Sequence, residues 1–379
     1  MTSTTPDAAA AFFARCGLPS QTQLRCDALA RRRYPAHVVR PVLHQGYCSY
    51  TLQVGADMIL QFRPARHRLD VDVARRARAV YGPWAPLPEL IGRLGPGGGP
   101  GGPDADPGAE PAGRPGHRAD LYIYAMARIP GQPLSDIRSA APDPGLYDAL
   151  ARDLARFFAR GFHGAVPASD PTLASRIGRI GRSLRPRLQV LHSRLPARFR
   201  PAAAAALRAV PAVQALPWAL THGDVVPANV MVRPVPPAQP RLAGLLDWAE
   251  AEPLPFGIGL YGVEELLSDC VATTTTSTTT GGHEPAAARL LGVFWAELAA
   301  GVPALADPTL RATVEAARRL GLLLWHGFAF DDGRLDRVVE EGRDDDEIGR
   351  LDRFLLRGDA SAPWLPAARE PSGGLAALL

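Results

Sequence analysis

Thr221-His222-Gly223-Asp224-Val225-Val226-Pro227-Ala228-Asn229 runs directly into the apolar triplet Val230-Met231-Val232. A second apolar run, Leu242-Ala243-Gly244-Leu245-Leu246, then ends at Asp247-Trp248, and a proline-rich turn separates the two runs. Short apolar runs joined by such a turn predict a β-hairpin. Asp224 and Asn229 then lie in the loop before the first strand and Asp247 at the exit of the second, so the three side chains can converge. One carboxylate set against a hydroxyl can orient it and accept its proton. A second carboxylate with an amide oxygen offers hard oxygen ligands, which suit Mg²⁺. Positioning, metal and charge neutralisation are the parts that phosphoryl transfer needs. Each aspartate alone would read as a turn former or helix cap; the combination is what points to chemistry.

The composition sharpens this reading. All 42 basic residues are arginine, the chain has no lysine, and Asn229 is its only asparagine. Schiff-base chemistry and a P-loop lysine are therefore excluded. The net charge of +4 is small and the arginines are spread along the chain, so no nucleic-acid partner is expected. Four cysteines without C-x-x-C spacing predict free thiols in a reducing compartment, and the first residues lack the basic region of a signal peptide. No apolar run is long enough for a membrane span, so the expected location is cytoplasmic.

At 379 residues the chain exceeds the usual single core, and two lobes are expected. Residues 1–37 read as an N-terminal helical extension. Residues 38–127 read as a mixed β/α N-lobe, with strands at Val38–Leu43, Ser49–Val54, Met58–Phe62 and Asp120–Ala127 and a helix at Val71–Tyr81. Residues 128–379 read as a mainly helical C-lobe that contains the hairpin. Helices are predicted at 146–162, 171–180, 203–212, 285–300, 308–328 and 345–356. Two low-complexity insertions, at about 95–117 and 273–282, are expected to be disordered or loop-like.

His222-Gly223-Asp224, Asn229 five residues later, and Asp247-Trp248 together resemble the aminoglycoside phosphotransferase and choline kinase superfamily, whose fold is like that of protein kinases. Leu245 to Glu252, Pro255-Phe256-Gly257, Tyr261-Gly262-Val263-Glu264-Glu265, Gln45 to Tyr50 and Gln61-Phe62-Arg63-Pro64 look most like its uncharacterised fungal phosphotransferase-like group. The resemblance spans about residues 38–300. It implies an α+β bilobal kinase-like fold and an ATP- and Mg²⁺-dependent transfer of phosphate to a hydroxyl of a small molecule. Asp224 would orient the acceptor hydroxyl, and Asn229 and Asp247 would hold the nucleotide-bound Mg²⁺. The turn from Gly46 to Ser49 would cover the ATP phosphates, and Met126 would meet adenine where the lobes connect. His222 reads as a loop-holding residue.

Two positions depart from the family pattern. Arg63 stands near the place of the usual strand lysine, where a guanidinium stays charged but is bulkier. The helix Val71–Tyr81 lacks the glutamate that would pair with it, leaving Asp70, Asp72 or the remote Glu89 as substitutes. These departures keep open an alternative, a pseudokinase-like protein that binds nucleotide or a partner for regulation. Nine acidic residues against three arginines between Asp331 and Glu347 suggest either a cationic acceptor or a solvated acidic segment. Trp325, His326 and Phe328, just before it, read as core.

Overall fold

The computed structural model describes residues 8–95, 120–137, 147–235, 239–271, 283–331 and 334–356. Most of both expected low-complexity insertions lies outside the described residues. The chain divides into two compact units, Met1–Pro130 and Gly131–Leu379.

The first unit opens with helices α1 (Ala8–Arg15) and α2 (Gln21–Arg33). Strands β1 (Val39–Pro41), β2 (Tyr50–Val54) and β3 (Met58–Pro64) follow, then helix α3 (Val71–Tyr81) and strands β4 (Glu89–Leu94) and β5 (Leu121–Ala127). They form one antiparallel sheet in the order β1-β2-β3-β5-β4. Side chains alternate across a strand, and here the two faces have different fates. Tyr50, Leu52, Leu60, Phe62, Leu121 and Ile123 form one core with Phe12, Phe13, Cys26 and Leu29 of α1 and α2. The N-terminal helices are thus the cover of one sheet face. Thr51, Gln61, Arg63, Tyr122, Tyr124 and Met126 occupy the other face, because the register pairs Gln61 with both Thr51 and Tyr124, and Arg63 with Tyr122. The sequence reading missed β4. Its run Glu89-Leu90-Ile91-Gly92-Arg93-Leu94 follows three prolines and carries a bulge between Leu90 and Gly92, which together blur a period-two pattern.

The second unit contains β6 (Gln132–Pro133), α4 (Asp148–His163), α5 (Leu173–Arg176), α6 (Arg179–Arg182), α7 (Leu184–Arg194) and α8 (Arg200–Gln214). Strands β7 (Trp218–Thr221), β8 (Val230–Val235), β9 (Gln239–Leu245) and β10 (Glu252–Pro255) come next. The unit continues with α9 (Val263–Val271), α10 (His283–Gly301), α11 (Pro308–His326), the hairpin β11 (Phe328–Asp331) and β12 (Arg334–Val338), and α12 (Asp345–Leu351). The expected hairpin exists as β8–β9, with β6 on its outer edge. Asp153 on α4 fastens it. Its buried carboxylate accepts from Arg241 Nε and Nη2 at 2.5 and 2.8 Å and from the Leu242 amide at 3.2 Å.

Three sequence expectations change here. The helix predicted at 171–180 is instead the pair of single-turn helices α5 and α6: the buried Glu252 carboxylate accepts the Ile180 and Gly181 amides at 2.9 Å each and so starts a new turn at α6. Helix α7 and strands β7 and β10 were not anticipated. The acidic segment begins as the β11–β12 hairpin, and five of its carboxylates face arginines: Asp331 and Asp344 pair with Arg337, Asp336 with Arg179 and Arg187, Glu341 with Arg198, and Glu347 with Arg350.

Arg318 on α11 is fully buried between Glu264 of α9 and Glu315, with contacts of 2.6, 2.6 and 2.8 Å. Removing the cation alone strands two carboxylates in the interior. We expect Arg318→Met to cost about 3–5 kcal/mol in urea unfolding, and a loss below about 1 kcal/mol would contradict this role.

Candidate functional site

The site loop begins where β7 ends. β7 pairs with β10, with Thr221 opposite Glu252, so the loop starts from a fixed strand and returns through Asn229 into β8. Gly223 has φ +87°, and a Cβ there would lie 2.4 Å from the Glu250 carbonyl oxygen. Only glycine satisfies both the left-handed backbone and the close approach. This is the physical content of glycine between His222 and Asp224.

His222 is buried and bridges the two strand ends. Its Nε2 lies 2.7 Å from the Leu246 carbonyl oxygen, and its Nδ1 accepts the Asp224 amide at 3.2 Å. A carbonyl accepts only from a protonated Nε2 and an amide donates only to a bare Nδ1, so the ring is neutral in the Nε2–H tautomer. Burial agrees, pushing the imidazole pKa down to about 4. The expected loop-holding reading of His222 matches these bonds.

Asn229 donates its amide nitrogen to the Asp224 carboxylate at 2.7 Å and to the Asp224 carbonyl at 3.0 Å. Its side-chain oxygen is thereby the atom left for another ligand. The Asn229 backbone carbonyl accepts from the Leu246 amide at 2.8 Å, tying the loop to the far end of β9 one residue before Asp247. Asp247 is exposed and has φ +55°, the one positive φ outside glycine among the described residues. Such a conformation is held by its surroundings. Here the next residue supplies the hold: Trp248 is buried, donates Nε1–H to the Leu245 carbonyl at 3.0 Å, and packs edge-on to His222 with centroids 4.7 Å apart.

The electrostatics of this corner are unbalanced. Burial raises the Asp224 pKa to about 6, helped by the charges of Asp247 and Glu250 and opposed only in part by the Asn229 hydrogen bond. A divalent cation would relieve this repulsion, and the donors available, the Asn229 amide oxygen and the Asp247 carboxylate, are the hard oxygens that Mg²⁺ takes. Among the described residues no group of three or more His, Cys, Asp or Glu could hold a metal ion. A cation here would complete its shell from phosphate oxygens or water.

Two residues of the site escaped the sequence reading. The Tyr261 hydroxyl accepts the Val225 amide at 2.8 Å, and Trp325 Nε1 donates to the Gly223 carbonyl at 2.6 Å. Both sit in apolar surroundings in sequence, and Trp325 read as core; only its half-exposed state hinted otherwise, and that is a tertiary property.

In the first unit, the amide of Gln45 braces the turn before β2. It donates to the Val42 and Thr51 carbonyls and accepts the Thr51 amide, at 3.0, 2.9 and 2.8 Å. Gly46 is exposed in this turn. The buried Ser49 hydroxyl lies 3.1 Å from the Thr51 hydroxyl. Arg63 is buried on the sheet face it shares with Thr51, Gln61 and Met126. The carboxylates suggested as its partners have other tasks: Asp70 caps α3 by accepting the Asp72 and Val73 amides, Asp72 pairs with Arg75 at 2.6 Å, and Glu89 is exposed.

The model of the phosphotransferase enzyme family matches residues 49–257. No curated protein matches the chain. Among solved structures it is similar to a GDP complex of a variant aminoglycoside 2'-phosphotransferase-IIIa (15% identity, 89% of this chain and 97% of that one, TM-score 0.48). It is also similar to a glucosamine kinase (14%, 89% and 84%, TM-score 0.48) and to an aminoglycoside-3'-phosphotransferase of type VIII (18%, 80% and 98%, TM-score 0.43). No described helix is long and apolar enough to cross a membrane.

A carboxyl whose pKa is raised on folding binds a proton more readily in the folded chain than in the unfolded one. Between the ordinary value near 3.8 and about 6, stability therefore falls as pH rises, and above 6 the whole penalty is present. We expect Asp224→Asn, unfolded by urea at pH 7.5 in EDTA, to be more stable than wild type by roughly 2 kcal/mol. The gain should disappear near pH 4; a destabilised variant at pH 7.5 would contradict the charge imbalance.

Proposed function

Because the chain belongs to the phosphotransferase enzyme family, we propose that it transfers the γ-phosphate of ATP, with Mg²⁺, to a hydroxyl of a small molecule. The observation that carries this reading is the Asp224–Asn229 hydrogen bond at 2.7 Å, formed in a corner where the charge of Asp247 raises the Asp224 pKa. In this reading Asp224 orients the acceptor hydroxyl and takes up its proton as the oxygen attacks phosphorus in line. A carboxyl held near the middle of the acid range is a better proton acceptor than an ordinary aspartate. Asn229 and Asp247 hold Mg²⁺, which when bound neutralises phosphate charge.

The nucleotide contacts are expected from the first unit: the turn at Gly46 and Ser49, Arg63 for the non-transferred phosphates, and Met126 for the base. In this reading the backbone amides of the turn and the Ser49 hydroxyl donate to the phosphates; if Thr51 donates to Ser49, at 3.1 Å, the Ser49 O–H is left for phosphate. Within the family we place the chain with the fungal phosphotransferase-like group, on the Tyr261-Gly262-Val263-Glu264-Glu265 motif. A cationic acceptor gains little support from the acidic segment, since five of its nine carboxylates face arginines. A second reading, a regulatory protein that binds nucleotide without turnover, rests on the two departures in sequence: arginine at position 63 and no glutamate in the helix Val71–Tyr81.

Nucleotide turnover against a panel of hydroxylated metabolites separates the two. We expect acceptor-dependent ADP formation that falls about 10³-fold in Asp224→Ala and Asp247→Ala, and an increased Mg²⁺ requirement in Asn229→Ala. A thermal shift with Mg²⁺-ATP but no turnover would favour the regulatory reading. Turnover unaffected by both aspartate substitutions would refute the site.

A further inference from the structure

The peptide groups on either side of Asp224 are each held by an aromatic side chain, and the two aromatics hold each other. Trp325 Nε1 donates to the Gly223 carbonyl at 2.6 Å, while the Tyr261 hydroxyl accepts the Val225 amide at 2.8 Å. Their rings are stacked, with centroids 4.5 Å apart and planes 17° from parallel. We propose that Tyr261 and Trp325 form one positioning unit that sets the backbone of Asp224 and hence the direction of its carboxylate. The proposal rests on the reading of Asp224 as the residue that orients the acceptor.

Three consecutive backbone groups are fixed in this way: the Gly223 carbonyl by Trp325, the Asp224 amide by His222, and the Val225 amide by Tyr261. A loop with its donors and acceptors taken in sequence has little freedom to turn the side chain between them. The supports are themselves rigid. Tyr261 is almost wholly buried in the 3₁₀ turn Ile258–Gly262, and Gly262 approaches the loop so closely that a Cβ there would meet the Val225 carbonyl oxygen at 2.4 Å. Trp325 lies in the last turn of α11, and the next residue, His326, contacts the Tyr261 ring edge-on at 6.1 Å and Glu347 at 2.7 Å.

The choice of tyrosine is informative. Phenylalanine would fill the same space, but it would leave the buried Val225 amide without an acceptor, a cost of about 1–3 kcal/mol. The chain also pays to bury this hydroxyl. Burial, with the nearby charge of Asp224, raises its pKa well above the ordinary value, so it stays protonated and neutral beside the carboxylate. The hydroxyl therefore serves as a neutral acceptor for an amide, which a carboxylate at the same place would do only by adding to the repulsion already acting on Asp224.

The test uses the full-length protein with Mg²⁺-ATP and the acceptor identified by the panel. Trp325→Phe keeps the stack and removes one N–H; Tyr261→Phe keeps the ring and removes one acceptor. We expect kcat to fall about 10- to 100-fold in each, the Kd for Mg²⁺-ATP to stay within about twofold, and the double variant to lose little more than the worse single one. Amide hydrogen exchange over residues 222–229 should quicken in both singles, a readout that needs no turnover. Asp224→Ala in the same assay separates the failures. If it keeps wild-type turnover, the reading of Asp224 falls. If it abolishes turnover while both aromatic variants keep wild-type kcat and loop exchange, the positioning unit is overturned. A variant that loses thermal stability yet keeps kcat would mark the pair as packing only and equally overturn the proposal.

Discussion

The neutral imidazole of His222 is the contact on which the rest of the site depends. One ring nitrogen holds the amide of Asp224, the other holds the carbonyl next to Asp247, and the distance between the two aspartates follows from the width of that ring. Protonation would put an N–H against the Asp224 amide and break the bridge, and burial prevents it at neutral pH. Trp248 closes one side of the ring, Phe157 of α4 packs behind Trp248, and α4 in turn anchors the hairpin through Asp153. A single chain of contacts thus runs from a helix in the body of the unit to the loop that carries Asp224.

The treatment of charge differs sharply between this corner and the remainder of the unit. Asp153, Glu264, Glu315, Asp336, Asp344 and Glu347 each face an arginine. Asp224 faces two further carboxylates and an amide. Burial of Asp224 beside Asp247 and Glu250 raises its pKa and is a stability cost at neutral pH. In the proposed reaction the imbalance would have a chemical use: it raises proton affinity at Asp224 and would favour a cation in the corner.

Much of this was legible in the sequence because the informative residues are close together along the chain. The hairpin, its loop and the trio Asp224, Asn229 and Asp247 needed only local spacing and turn chemistry. The helices α4, α10 and α11 carry long apolar stripes and were read within a few residues. Strands β7 and β10 were missed because each has only four residues and pairs with a partner more than thirty positions away, so neither shows a period of its own. Helix α7 was missed for a different reason, since Leu184, Leu188 and Leu191 bury their side chains amid arginines and a proline that mask the stripe. The acidic segment read as a cationic-acceptor site or a solvated stretch because composition reports net charge, while Arg179, Arg187 and Arg198, which pair with it, lie well over a hundred residues earlier.

Sequence alone determined which chemistry the chain can attempt. The absence of lysine removed whole reaction classes, and the single asparagine stood five residues after an aspartate, at the mouth of a hairpin. Side-chain chemistry and short-range spacing are written directly in the order of residues, which is why these readings needed no coordinates. The tertiary structure decided how the loop is held: that His222 is neutral, that Asp247 sits in a left-handed backbone, and that Tyr261 and Trp325 grip the peptides around Asp224. Those facts depend on burial and on groups as far as 102 residues apart meeting at 2.6 and 2.8 Å. Such meetings are settled by the packing of the whole unit, and no local pattern encodes them.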